Sequence, residues 1–131
     1  MTNTFRLEMI TPTSYLELKE VEYLRAPGLD GLFGVQKGHA PALISLDIGE
    51  IKTISNGKPT YWATSGGFAE ISTDGVQLLL ETVEDASKVD VTRAEKAKER
   101  AQERLKNIGM DSERARISLL RAINRLKVSS R

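Results

Sequence analysis

Few residues in this 131-residue chain could do covalent chemistry. His39, in Gly38-His39-Ala40-Pro41, is the only histidine, and so the only side chain that ordinarily exchanges a proton near neutral pH. Ser45 or Ser65 can be imagined beside it, but neither sits in a nucleophile motif. His39 therefore reads as a loop residue making a structural or partner contact. Ser65-Gly66-Gly67-Phe68 is only superficially like a phosphate-cradling turn. It lacks the Gly-x-x-x-x-Gly-Lys-Ser/Thr pattern and precedes no helix, so it reads as a tight turn or bulge in a sheet. The absence of cysteine excludes a disulfide scaffold and thiolate metal sites, and one histidine excludes a multi-histidine metal site. No metal is expected, and no cofactor is required.

The charged residues are divided along the chain. Residues 1–87 carry 6 Lys and Arg against 12 Asp and Glu, a net of −6, whereas residues 88–131 carry 13 against 6, a net of +7. Such a basic tail suits nucleic acid, an anionic membrane, a nucleotide or an acidic protein surface. Its plainer reading is a solvated helical face. No apolar run approaches the roughly 20 residues of a membrane span, and Met1–Arg6 does not begin a signal peptide, so a soluble, cytoplasmic protein is expected.

The elements that hold these residues fall into two kinds. Thr4–Ile10 alternates with Phe5, Leu7 and Met9 on one face, the period of a half-buried strand. A further strand is expected over Glu20–Ala26, followed by a glycine-rich loop over Pro27–Gly34. Short apolar pieces follow at Ala42–Ile44 and Gly49–Ile54. Asn56-Gly57 and Asp74-Gly75 are hairpin signals, because both accept positive φ. They separate Thr60–Thr64 and Phe68–Ile71 from their neighbours, and Trp62 reads as core or interface. Seven or more short strands with frequent turns imply an antiparallel β-sandwich or barrel.

From Asp90 to Asn107 the chain has neither Gly nor Pro and is rich in Ala, Glu, Lys and Arg, all helix formers. Asp90 is an N-cap. Ala94, Ala97, Ala101, Leu105 and Ile108 form a narrow stripe, and Gly109 suits a C-cap. Asp111 caps a second helix running to about Val128, with Ala115, Leu119, Ala122 and Leu126 as its stripe, broadened by Leu120 and Ile123. So short a connection makes the two helices an antiparallel hairpin. The fold class is therefore α+β: an N-terminal antiparallel β-sandwich over 1–86 and a C-terminal two-helix hairpin over 87–131. A hairpin this thin is stable only when docked on something, which makes two docking states physically reasonable.

In order, these segments resemble the epsilon subunits of bacterial-type F-type ATP synthases. Gly31-Leu32-Phe33-Gly34-Val35 followed by Gly38-His39-Ala40-Pro41 is similar to the family's Gly-(Glu/Asp)-Leu-Gly-(Ile/Val) and Pro-Gly-His-Ala-Pro. Ser65-Gly66-Gly67-Phe68-Ala69-Glu70-Ile71 is similar to Ser-Gly-Gly-Phe-x-Glu-Val. Arg93-Ala94 opens the alanine-rich helix, and Arg121-Ala122-Ile123-Asn124-Arg125-Leu126 lies near the end. Leu32 stands where a carboxylate is common, and Lys37 replaces a proline.

The resemblance implies a non-catalytic rotor subunit, peripheral on the cytoplasmic face of the inner membrane and not inserted in it. The sandwich would bind the gamma subunit and sit on the ring of c subunits, with Leu32, Lys37 and His39 in the contacting loop. The hairpin would fold down on the sandwich or extend into the alpha-beta hexamer. There it would restrain ATP hydrolysis, with Arg114, Arg116 and Lys127 as contacts. Some members bind ATP through (Ile/Leu)-Asp-x-x-Arg-Ala, which Val89-Asp90-Val91-Thr92-Arg93-Ala94 approaches. The corresponding candidate site is Glu84, Asp90, Arg93, Ala94, Arg100, Arg121 and Arg125, with ATP as an optional regulatory ligand. The alternative is a free-standing β-sandwich module whose basic tail grips nucleic acid or an acidic protein.

Overall fold

The computed structural model describes residues 3–106 and 112–131. The expectations for Ile108, the Gly109 C-cap and the Asp111 N-cap lie outside these residues.

Ten strands form one continuous sheet that folds over on itself. They are β1 (Phe5–Ile10), β2 (Tyr15–Val21), β3 (Tyr23–Gly28), β4 (Gly31–Val35), β5 (Ala42–Leu46), β6 (Gly49–Ser55), β7 (Lys58–Thr64), β8 (Gly67–Ser72), β9 (Gly75–Leu80) and β10 (Val83–Asp85). The order is β10-β7-β6-β3-β5-β8-β9-β1-β2, with β4 paired to β3. One layer is β10-β7-β6-β3-β4 and the other β5-β8-β9-β1-β2. They join through a single registered pair, Gly28 with Leu46. The inward faces bury Leu7, Met9, Val21, Leu24, Ile51, Trp62, Ala69, Ile71, Val76, Leu78 and Leu80 as one aliphatic core. Trp62 Nε1 donates to Thr53 Oγ1 at 3.1 Å, which satisfies the indole inside that core.

The sandwich differs from the sequence reading in three places. β1 and β9 pair in parallel, whereas the other pairings are antiparallel. Residues 15–28 are two strands broken at Glu22, not one strand over Glu20–Ala26. Glu22 holds that break through its amide, which donates to Ile54 O at 2.8 Å, and its carboxylate, which accepts from Gly57 N at 2.8 Å. The expected loop over Pro27–Gly34 is a β-hairpin, with Gly28 opposite Gly31. Its glycines flank a two-residue turn, Leu29-Asp30, between paired strands. Ser65-Gly66-Gly67 does form the tight connection expected. A Cβ on Gly67, at φ +150°, would lie within 1.9 Å of Leu79 O, so the strands approach as closely as only glycine permits.

A short 3-10 turn, Ala86–Lys88, leads to α1 (Val91–Lys106) and α2 (Ser112–Ser129). Asp90 is the N-cap, its Oδ1 accepting from Arg93 N at 3.0 Å. The helices pack together, and Ala94, Ala101, Ala115 and Ala122 are buried. These small side chains let the two backbones approach. Leu105, Leu120 and Ile123 remain exposed, so the stripe is as narrow as its alanines suggested.

Candidate functional site

Strand register builds the surface on which the helices rest. Ala63 of β7 lies opposite Glu50 of β6 on one side and Glu84 of β10 on the other. Residues opposite one another across a sheet point to the same face. The outward row is therefore carboxylate, small residue, carboxylate. α2 lies across it, and Ala63 is 3% exposed. Arg125 grips Glu84 with two bonds, Nε to Oε1 at 2.5 Å and Nη2 to Oε2 at 3.0 Å. Arg121 Nη2 reaches Glu81 Oε2 at 3.1 Å. Asn124 Nδ2 donates to Gly49 O at 2.8 Å and to Thr64 O at 3.3 Å. The fully buried apolar side chains of α2 are Ala115, Ala122 and Val128. The hydrogen bond to Glu84, and more weakly the charges of Glu84 and Asp90, raise the Arg125 pKa above its ordinary value.

Beside these pairs is a cavity of about 440 Å³, lined by Glu84, Arg93, Arg121, Asn124 and Arg125 together with the hydroxyl residues Thr64, Ser65, Thr82 and Ser118. Since Arg93 and Ala97 of early α1 face Ser118 to Arg125 of late α2 here, the helices run antiparallel. Four of the seven candidate nucleotide residues thus converge: Glu84, Arg93, Arg121 and Arg125. The other three do not line the cavity. Asp90 is engaged as the helix cap, Ala94 is fully buried, and Arg100 is exposed two turns further along α1. A rim of guanidinium groups, hydroxyls and an amide suits a polyanion. Among the described residues no group of three or more His, Asp or Glu side chains could hold a metal ion.

The other candidates are scattered. Leu32 is 70% exposed at the hairpin end of β4. Lys37 and His39 follow the opposite end of that strand. About 15 Å of extended chain separates Leu32 from Lys37, so the three do not share one loop. The Gly28–Gly31 hairpin is the reason. His39 Nδ1 lies 2.7 Å from Ala40 O, and a second cavity of about 490 Å³ is lined by Arg6, Lys19, Lys37, His39 and Asp74 among others. Arg114, Arg116 and Lys127 are exposed on α2, and Arg116 pairs with Glu113 at 2.8 Å.

Sequence reading missed an apolar row on the outer face of the other layer. Phe68, Leu79, Ile10 and Tyr15 lie opposite one another across β8, β9, β1 and β2. Phe68 is 50%, Leu79 41% and Tyr15 56% exposed, and Leu43 on β5 is 71% exposed. The signal was available, because Ala69 and Ile71, or Leu78 and Leu80, take the inward face and force Phe68 and Leu79 outward. Exposed apolar clusters are a common feature of contact surfaces.

The whole is a β-sandwich with an apolar row on one outer face and a helical hairpin laid across the other. The chain belongs to the ATP synthase delta/epsilon chain family. Residues 4–86 match the model of that family's beta-sandwich domain and residues 87–130 its long alpha-helix domain. It is 40% identical over 132 residues to the ATP synthase epsilon chain of Syntrophomonas wolfei, covering 98% of this chain and 96% of the relative. It is 42% identical over 130 residues to that of Nitratidesulfovibrio vulgaris, covering 98% and 97%. Among solved structures, a chain of the Euglena gracilis mitochondrial ATP synthase, in a structure of its OSCP, F1 and c-ring, shares the fold. Its TM-score is 0.84 at 20% identity, over 100% of this chain and 84% of that one.

Proposed function

We propose that this chain is the epsilon subunit of an F-type ATP synthase, a non-catalytic part of the central stalk. In this reading residues 1–86 anchor it to the gamma subunit and the c-subunit ring, and residues 87–131 regulate ATP hydrolysis. The apolar row of Phe68, Leu79, Ile10 and Tyr15 is the surface we assign to gamma. Leu32, Lys37 and His39 are assigned to partner contacts at the two ends of β4. The protein works at the cytoplasmic face of the membrane, and none of its described helices is long and apolar enough to cross one.

The observation that carries the regulatory part is the chemistry of docking. α2 is held to the sandwich by arginine–carboxylate pairs whose side chains are a quarter to two-thirds exposed. Pairs that exposed contribute on the order of 1 kcal/mol or less each, so the docked state is reversible. Once undocked, Arg114, Arg116 and Lys127 join Arg121 and Arg125 as a basic face for acidic surfaces of the alpha and beta subunits. ATP bound at the 440 Å³ cavity would bridge Arg93 of α1 to Arg121 and Arg125 of α2 and so favour the docked form.

Deleting residues 88–131 tests this reading. In a reconstituted enzyme, hydrolysis should rise while coupling survives; unchanged hydrolysis rejects an inhibitory tail. Calorimetric titration of the chain with ATP tests the ligand separately, and no heat at millimolar ATP rejects it.

A further inference from the structure

Arg131 has no role in the site above, yet it makes the most complete contact in the docked arrangement. Its Nε donates to Glu50 Oε2 at 2.8 Å and its Nη2 to Glu50 Oε1 at 2.9 Å. Its guanidinium carbon also stands 4.9 Å from the centre of the Tyr61 ring, within the range of a cation–π contact. Glu50 is the far carboxylate of the row that Glu84 begins. Two strand spacings separate them, about 9.6 Å. Arg131 lies two residues beyond the end of α2 at Ser129, and its amide donates to Val128 O at 3.1 Å, a last turn from which its side chain reaches Glu50.

We propose that Arg131, closing on Glu50 and Tyr61, is a latch that holds the hairpin down independently of any ligand in the cavity. What makes it a latch is the state it leaves behind. Removing one partner of a half-buried ion pair ordinarily strands the other charge. Glu50 is not stranded, because Arg25 Nη2 also donates to it, at 2.8 Å. Tyr61 likewise keeps Lys52, whose Nζ is 5.8 Å from the ring centre. Arg131 itself is half exposed and returns easily to water. Arg125, paired with Glu84, is 26% exposed against 46% for Arg131, so opening at Arg125 costs more. Undocking should then begin at Arg131 and proceed toward Arg121.

The proposal rests on the reading that the hairpin detaches. The chain has no cysteine, so Lys58→Cys and Glu103→Cys, both exposed positions, give a single dye pair on the full-length protein. The undocked fraction is the low-transfer population in single-molecule measurements without nucleotide. Arg131→Ala should raise that fraction roughly ten-fold, the combined effect of a two-bond pair and a ring contact. Arg131→Lys should raise it less, and Arg104→Ala, at an exposed position on α1, should leave it unchanged. Glu50→Gln should raise it too, and the double variant with Arg131→Ala should go no further than the stronger single one. A wild-type hairpin that opens with salt but ignores Arg131→Ala within two-fold overturns the latch alone. A hairpin that never opens, even in 1 M salt, overturns the latch and the detachment reading together.

Discussion

Ala63→Leu should lift α2 off the sandwich without touching a single charge. Ala63 lies between Glu50 and Glu84 on the outward row and is 3% exposed under the helix. Three added carbons have no space there, and overpacking of this kind costs about 1–3 kcal/mol. The helix relieves it by rising. A rise of about 2 Å takes the Arg125–Glu84 contacts beyond hydrogen-bonding distance, so steric and ionic losses reinforce each other. At about 1.4 kcal/mol per decade, the docked-to-undocked ratio should fall roughly 10- to 100-fold. The assay is amide hydrogen exchange. Protection of α2 should drop by that factor, while β1 and β9 keep theirs, because the new side chain points away from the core. In an assembled ATP synthase the same variant should lower hydrolysis, opposite in sign to deletion of the tail. Protection of α2 unchanged within three-fold, or lost together with that of β1 and β9, would refute the reasoning.

Three further outcomes are expected. Gly67→Ala should lower sandwich stability by at least about 2 kcal/mol, read as an earlier urea midpoint, since φ is +150° and the Cβ would meet Leu79 O at 1.9 Å. Phe68→Asp should weaken capture by a gamma subunit at least ten-fold while leaving the melting temperature within about 2 °C, because Phe68 is half exposed and outside the core. Hydrogen bonds from Tyr15 and Gln77, more than the charge of Arg6, hold the Glu8 carboxyl below its ordinary 4.5. The bond to Glu8 raises the Tyr15 hydroxyl above its ordinary 10.0. Stability from Glu8 is thus complete above about pH 4.5 and fades as pH falls, whereas that from Tyr15 is complete below about pH 10 and fades as pH rises. Glu8→Gln should flatten both limbs of the urea midpoint plotted against pH, with Arg6 and Glu17 keeping their own pair at 2.7 Å.

What could be read from the sequence was local. Alternation in Thr4–Ile10 marked an inward face, Asn56-Gly57 marked a hairpin with both residues at positive φ, and Asp90 marked a helix start. What was missed was register between distant strands. Nothing near Glu50, Ala63 or Glu84 in the sequence announces that they share a row. That depends on β6, β7 and β10 lying side by side in one pairing. Arg125 was legible through resemblance, but its partner's neighbour Glu50, and hence Arg131 and Tyr61, were not. The parallel β1–β9 pair was missed for the same reason, since about 70 residues lie between the strands, and loop closure over that length leaves no local trace.

The two outer faces of the sandwich differ in chemistry, and the difference bears on how each is used. Burying apolar surface contributes about 25 cal/mol per Å² whatever the salt, so a row of Phe68, Leu79, Ile10 and Tyr15 suits a contact that stays made. Carboxylates facing arginines at half-exposed positions contribute little net energy and weaken with ionic strength, which suits a contact that must open. If α2 were held by leucines at the positions of Arg121 and Arg125, a detached hairpin would expose an apolar face to water, and undocking would become costly. Arginine leaves behind only hydrated charge. In the proposed reading, the division between a −6 segment and a +7 segment suits a hinge: opposite charges bring tail and sandwich together, and hydration of those charges would leave the tail free to depart.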